Sequence, residues 1–299
     1  MNFKEHKSVP TILLLTVALV WGSTFAIMKD SLGRIDVNSF LAWRFILAAI
    51  IMALIRPQSF RHITPSFLLR GVIVGLLLGG GYIFQTFGLT LTTVAKAGFI
   101  TGLYAIFVPL IAAAGFHQKI SKIQWLAVGL ASIGMGLLSL HGFTMGLGDF
   151  FVLIGALFYA LHIIGMGRWS PDRDSYALAM IQMATVGLLA LVGSFKSGFH
   201  IPHDQGVWAV VIYSALAASA FAFMVQTWAQ SFMSATSVGI ILTMEYICAA
   251  AFGVILVHER LTWRTIIGGA CMMAGLYLVI LFDESQPSKA AIKHEKIAQ

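Results

Sequence analysis

Ten stretches of roughly twenty predominantly apolar residues follow one another along this chain, separated only by short gaps. They run over 11–28, 37–55, 67–89, 96–115, 122–140, 147–167, 176–195, 207–230, 236–257 and 263–282. A helix rises 1.5 Å per residue, so about 20 residues cross a hydrocarbon core about 30 Å thick. Each unpaired backbone group in lipid costs several kcal/mol, which leaves helix as the state of such a stretch. The gaps hold most of the proline and charge, as in Arg56-Pro57-Gln58, Ser170-Pro171-Asp172 and Ile201-Pro202-His203, and none has room for a soluble domain. The start Met1–Lys7 is basic, as in a secretory signal. The apolar run behind it continues through Trp21 and Phe25 to Met28, and nine more follow, so it reads as an uncleaved first membrane helix.

Composition agrees, with 59% of the 299 residues hydrophobic and 10% charged, against about 25% charged in soluble domains. The net charge of +7 does not mark a nucleic-acid partner, because the Lys and Arg residues stand singly in the gaps. With the N-terminus cytoplasmic, that side receives Lys4, Lys7, Arg56, Arg61, Arg70, Lys119, Lys122, Arg168, Arg173, Lys289, Lys293 and Lys296. The other side receives Lys29, Arg34, Lys96, Lys196, Arg260 and Arg264. A 12-to-6 bias predicts both termini inside. Cys248 and Cys271 lie in apolar stretches and read as buried hydrophobes rather than as a disulfide or metal site. No cofactor is expected.

Sliding the chain on itself by 141 residues places Gln85-Thr86 on Gln226-Thr227, Gly98 on Gly239, Ile100 on Ile241, His117 on His258, Gly134 on Gly275 and Leu137 on Leu278, without a gap. Lys119 meets Arg260 and Ser121 meets Thr262. Two related units are therefore expected, 10–140 and 147–282, each with five helices, followed by a polar cytoplasmic tail at 283–299. An odd helix count inverts the second unit relative to the first. The expected fold class is an all-α membrane protein of ten transmembrane helices as two inverted five-helix repeats, an architecture of secondary transporters with a midplane site between the halves. The third helix carries Gly71, Gly75, Gly79, Gly80 and Gly81, a smooth ridge for close helix packing. Pro109 predicts a kink in the fourth helix.

Ionisable groups at membrane depth cost about 2.5–3.5 kcal/mol on insertion scales and usually face a cavity or a partner. Two stand out: Arg44 in the second stretch and Glu245 in the ninth. They either neutralise each other or bind the carboxylate and ammonium of a zwitterion, and Glu245 is also where a coupling proton would bind. Trp21, Thr24, Tyr82, Gln85 and Tyr104 from the first half, with Tyr159, His162, Gln182, Tyr213 and Gln226 from the second, are polar or aromatic candidates for a cavity. Tyr82 and Tyr213 fall close enough to helix ends to suit the membrane interface instead. His162 alone reads more readily as a hydrogen-bonded interior residue than as a ligand. HExxH, GxSxG and phosphate-binding GxxxxGK[ST] patterns are absent, so neither an enzyme nor an ATP-driven pump is expected.

Trp21-Gly22-Ser23-Thr24-Phe25, the Trp43-Arg44-Phe45 step, the Glu245 segment and His258-Glu259-Arg260-Leu261-Thr262 together resemble the EamA family of the drug/metabolite transporter superfamily, over about residues 10–282. The resemblance implies a central cavity between inverted halves, alternating access, and export of amino acids or related small metabolites across a bacterial inner membrane. The family often has Glu-Pro where this chain has Glu245-Tyr246, which removes the helix distortion expected beside the acid. A carrier of cationic or lipophilic drugs and a channel are the alternative readings. A monomer suffices for such a cavity, with the bilayer and a small metabolite as the partners.

Overall fold

The computed structural model describes residues 5–92, 94–116, 120–139, 146–171, 173–231, 233–257 and 263–282. The His258–Thr262 motif and the 283–299 tail lie outside the described residues. Regular structure among the described residues is helical throughout: α1 Glu5–Ser31, α2 Val37–Ile55, α3 Pro65–Leu91, α4 Val94–Gly102, α5 Tyr104–Phe116, α6 Lys122–Ser139, α7 Leu147–Trp169, α8 Ser175–Ser194, α9 Gln205–Ala215, α10 Ala222–Ala229, α11 Ala235–Leu242, α12 Met244–Val257 and α13 Trp263–Phe282. A 3-10 turn, Pro57–His62, precedes α3, and a π-helical segment, Leu216–Phe221, joins α9 to α10. Six segments have the length and hydropathy to cross a membrane: Val9–Ser31, Val37–Ile55, Pro65–Leu91, Leu147–Trp169, Ser175–Ser194 and Gln205–Ala229. Shorter apolar helices cover Ile100–Gly115, Ala235–Ala249 and Ile266–Gly275. The chain is thus a multi-pass membrane protein.

The gaps start these helices by capping them. Asp36 accepts from the Ser39 N–H at 3.0 Å, Asp174 from the Tyr176 and Ala177 N–H groups at 3.0 and 3.2 Å, and Ser234 from the Ser237 N–H at 3.1 Å. Ser121 and Gln124 form a reciprocal box: each side chain accepts from the other's backbone N–H, at 3.1 and 3.0 Å. First-turn amides have no intrahelical acceptor, and these polar residues supply one.

Three of the apolar stretches are not continuous α-helix. The fourth breaks at Leu103, whose N–H bonds Ile100 O while its own carbonyl accepts from the Ile106 N–H. The ninth breaks at Thr243 with the same pattern, Thr243 N–H to Ile240 O and Tyr246 N–H to Thr243 O. The Thr243 hydroxyl also bonds Ile240 O at 2.6 Å, and such back-bonding bends a helix. The break in the fourth stretch is not at Pro109, which lies inside α5. The proline's clash falls on the turn before it, and that turn is already the fresh start of α5. Loss of the Glu-Pro proline likewise does not abolish the distortion, which lies two residues before Glu245. In the eighth stretch the Ala222 N–H reaches back to Ala217 O, passing over the Ala218 carbonyl that a regular turn would use.

Packing follows the small residues. A Cβ placed on Gly71, Gly75 or Gly79 would lie 2.6, 2.6 and 2.8 Å from the side chains of Ile181, Thr185 and Leu189, so the ridge of α3 seats α8. Gly81 and Gly88 do the same for α7, against Tyr159 and Val152. The α6–α13 pair is reciprocal. Gly134 abuts the Gly268 carbonyl, and Gly275 abuts the Ala127 carbonyl. A second pair, α2 with α8, is tied at both ends. Tyr176 Oη donates to Met52 O at 2.7 Å, beside the Arg56–Asp174 ion pair at 3.2 Å. At the far end Asn38 Nδ2 donates to Gly193 O at 3.3 Å, and Trp43 Nε1 to His200 O at 3.1 Å.

Candidate functional site

The helices enclose a cavity whose wall draws on α1, α2, α3, α4, α5, α7, α10, α11 and α12. The volume open to water centres is about 60 Å³, several times the ~10–15 Å³ that one water needs on this measure.

Arg44 projects from α2 and is 1% exposed. An isolated guanidinium at that depth would carry a penalty of several kcal/mol, and the surrounding helices offset it. Nε donates to Ser219 Oγ at 2.8 Å, and Nη2 to Ala218 O at 3.1 Å and to Tyr82 Oη at 3.3 Å. Nη1 lies 3.4 Å from Met28 Sδ. The group also sits 4.8 Å from the Tyr82 ring centroid and 4.9 Å from that of Phe45, within cation–π range. The π-helical turn makes this possible. Its skipped carbonyl, Ala218 O, accepts from Arg44 and from Trp21 Nε1 at 2.8 Å. π-Turns of this kind recur at functional sites because they release backbone groups.

Glu245 stands on the first turn of α12 and is 6% exposed. It does not pair with Arg44: among the described residues no hydrogen bond or ion pair reaches its carboxylate. The two charges act on each other through space rather than by contact, and the hydrogen bonds of Arg44 go to the π-turn and Tyr82 instead. Of the buried side-chain polar atoms that make no hydrogen bond among the described residues, three belong to the cavity wall: Thr86 Oγ1, Tyr104 Oη and Gln226 Oε1. An unsatisfied buried polar group costs about 1–3 kcal/mol, so this wall is built for a polar occupant.

Other polar groups around the cavity are satisfied. Tyr159 Oη donates to Gln85 Oε1 at 2.8 Å, and Gln85 Nε2 donates to Thr101 Oγ1 at 3.0 Å, which links α7, α3 and α4. His162 Nε2 and Gln182 Oε1 are 2.6 Å apart, and Gln182 Nε2 reaches Leu178 O at 3.2 Å and Thr227 Oγ1 at 3.4 Å. Thr24 bonds the Trp21 carbonyl at 2.7 Å.

Trp21, Thr24, Arg44, Tyr82, Gln85, Tyr104, Tyr159, His162, Gln226 and Glu245 thus share one cavity. Gln182 does not line it. It lies behind His162, fully engaged with α7 and α10, so its place is corrected to a support. Tyr82 is corrected as well: it is buried among Arg44, Phe45 and Phe223 rather than at the interface. Tyr213 is outside the cavity, and its hydroxyl is 2.7 Å from Ser23 Oγ. Thr86, Thr101, Met28 and Phe223 also line the wall. Of these only Thr86 carried a sequence signal, as the partner of Gln85 in the repeated Gln-Thr pair. Ala218 carried none, because it acts through its backbone carbonyl, and Ser219, which acts through its hydroxyl, was not singled out in the sequence.

Comparison with known proteins finds similar chains. An "uncharacterized transporter" of Archaeoglobus fulgidus is 28% identical over 270 residues, covering 90% of this chain and 84% of its own. The "uncharacterized transporter YoaV" of Bacillus subtilis is 25% identical, covering 89% and 94%. A WAT1-related protein of Arabidopsis thaliana is 24% identical, covering 96% and 97%. One crystal structure shares the fold at a TM-score of 0.76 and 16% identity, over 91% of this chain and 96% of that one. The sequence model of the EamA-like transporter family matches residues 9–140 and 146–281, and the chain belongs to that family.

Proposed function

We propose that this transporter is a secondary carrier that exports amino acids or related small metabolites across a bacterial inner membrane. It works by alternating access through the cavity around Arg44 and Glu245. The observation that carries the reading is the cavity wall: among the described residues it holds an unpaired carboxylate and three unpartnered polar atoms, Thr86 Oγ1, Tyr104 Oη and Gln226 Oε1, within helices whose outer faces are apolar. Water or a polar solute must satisfy them, and a solute that does so is bound and shielded.

The frame for this carrier is ten membrane helices in two inverted repeats, 10–140 and 147–282, with both termini cytoplasmic. Several features support it. The family match falls in two segments of similar length. The breaks at Leu103 and Thr243 share one hydrogen-bond pattern and lie within one residue of the 141-residue shift. The reciprocal contacts Gly134–Gly268 and Gly275–Ala127 map onto each other under that same shift, as a two-fold axis requires. In this frame Arg56–Asp174 lies at the cytoplasmic end, and Arg34, which bridges Asp30 and Asp204, lies at the opposite end. Alternating access parts these ends in turn. One chain supplies the whole cavity wall, so a monomer is sufficient. The carboxylate of Glu245 is the site for a coupling proton when substrate is absent.

Counterflow of labelled amino acids by purified protein in liposomes tests the proposal, across aromatic, aliphatic, sulfur-containing and charged classes. Saturable exchange of one class, lost in Glu245→Gln, is expected. Absence of exchange for every class would overturn the substrate assignment, and linear, unsaturable flux would replace the carrier by a channel. An imposed pH gradient should drive accumulation in the parent protein and not in Glu245→Gln; equal accumulation in both would remove the proton.

A further inference from the structure

The two charged groups of the cavity are not equivalent once their hydrogen bonds are counted. Guanidinium has five N–H donors, and it grips a carboxylate best through two adjacent ones. On Arg44, Nε is taken by Ser219, both directions of Nη2 by Ala218 O and Tyr82 Oη, and one of Nη1 by Met28 Sδ. A single N–H of Nη1 remains, so neither edge of the fork is open to a carboxylate. The positive charge is already met by the Ala218 carbonyl and by the Tyr82 and Phe45 rings.

Elsewhere on the cavity wall the inventory is reversed. Among the described residues Glu245 has two carboxylate oxygens with no hydrogen bond, Gln226 a carbonyl oxygen with none, and Tyr104 a hydroxyl that can accept. All three side chains are at least nine-tenths buried, at 6%, 2% and 4% exposure. An ammonium group carries three donors and no acceptor, which is the complement of these three acceptors on one cavity wall. The rings of Trp21 and Phe223, with centroids 5.2 Å apart, belong to the same wall and add a surface that attracts cations.

Resting on the carrier reading above, we infer that the cavity selects its solute by an ammonium group held at Glu245, Gln226 and Tyr104, and that a carboxylate on the solute is dispensable. Arg44 is a positioning residue. It fastens α2 to the π-turn and to Tyr82 and so sets the cavity's shape. Small primary amines are then carried alongside the amino acids to which they correspond, and deaminated acids are refused.

The test is counterflow in liposomes with matched triads, for example leucine, isopentylamine and isocaproate, with protein-free liposomes subtracted for passive leak. Exchange of the amino acid and the amine, without the acid, is the expected result. Exchange of the amine alone would support this inference while overturning amino acids as the cargo. Exchange of the amino acid and the deaminated acid, without the amine, would overturn the inference and leave the carrier intact; no exchange in any triad would overturn both. In Glu245→Gln the amine and the amino acid should each lose about tenfold or more in rate, the scale of one charge-assisted hydrogen bond. In Arg44→Gln both rates should fall together, with their ratio held within about twofold, since a positioning role acts equally on both. A ratio that moves tenfold toward the amine would show that Arg44 holds the carboxylate. Ser219→Ala, which removes only the Nε partner, gives the same ratio readout if Arg44→Gln does not fold.

Discussion

Gly22→Ala should loosen the wall behind Glu245 without touching any cavity side chain. Gly22 lies where α1 crosses α12. A Cβ there would stand 2.6 Å from the Glu245 carbonyl oxygen, 2.8 Å from the Ala249 nitrogen and 2.8 Å from Cys248 Cβ. Two of those atoms are backbone and cannot rotate away. Reaching an ordinary contact of 3.4 Å requires α1 and α12 to part by about 0.8 Å, the difference from 2.6 Å. Overpacking on this scale costs about 1–3 kcal/mol. The displaced segment is the first turn of α12, so the Glu245 carboxylate moves with it, and a shift approaching 1 Å at a binding group costs on the order of tenfold or more in rate. Gly129→Ala in α6 is the control, since no atom lies within 4 Å of its Cβ position. There alanine should stabilise by about 0.5–1 kcal/mol through its helix propensity. Thermal unfolding in detergent and counterflow of the exchanged solute read both variants. If Gly22→Ala kept the parent midpoint and the parent rate, α1 and α12 would not be in backbone contact, and the reasoning from packing to site would fail.

Gln182→Leu should destabilise by about 1–3 kcal/mol, because His162 and Thr227 lose the amide that joins them; an unchanged unfolding midpoint would contradict the support role. Tyr159→Phe should cost about 0.5–1.5 kcal/mol and slow exchange by leaving Gln85 Oε1 free to turn; unchanged stability and exchange would remove the Tyr159–Gln85–Thr101 link from the site. At the far loop, the Gly206 N–H bond holds the Asp204 carboxyl below its ordinary range. Desolvation opposes that shift, and Arg34 adds to it. A depressed carboxylate contributes stability above its unfolded value and loses it as pH falls through the folded value. Protection factors of residues 30–36 and 204–208 in hydrogen exchange, taken relative to the unprotected amide at each pH, should therefore fall below about pH 3.8, the unperturbed value, in the parent protein. In Asp204→Asn they should be lower from the start and independent of pH over the same range; identical profiles would refute the tie.

Much of the site was legible because lipid makes polar residues conspicuous. Arg44, Gln85, Gln226 and Glu245 stand out in stretches that are otherwise apolar, and a buried polar group there needs a reason. Their grouping around one cavity was not legible, since Arg44 and Glu245 are 201 positions apart in the chain. Gln182 shows the limit of the argument. Its composition and depth match those of Gln226, yet it faces a His and a Thr rather than the cavity, and only the rotation of α8 distinguishes the two. Tyr82 errs the other way: its distance from a helix end suggested the interface, while the length of α3, through Leu91, carries it inward.

By itself the sequence determined the solvent, the helical state, the helix limits to within a few residues and the family. Each of these follows from local content: twenty apolar residues must be helical in lipid, a polar cap must sit where amides are free, and a spaced motif needs no neighbour to be read. Only the tertiary structure decided that Arg44 is consumed by its own helices while Glu245 is left open. That depends on one carbonyl released by a π-turn between α9 and α10. Hydrogen-bond partners are assigned by whichever groups packing brings within about 3 Å, and no local pattern encodes that choice.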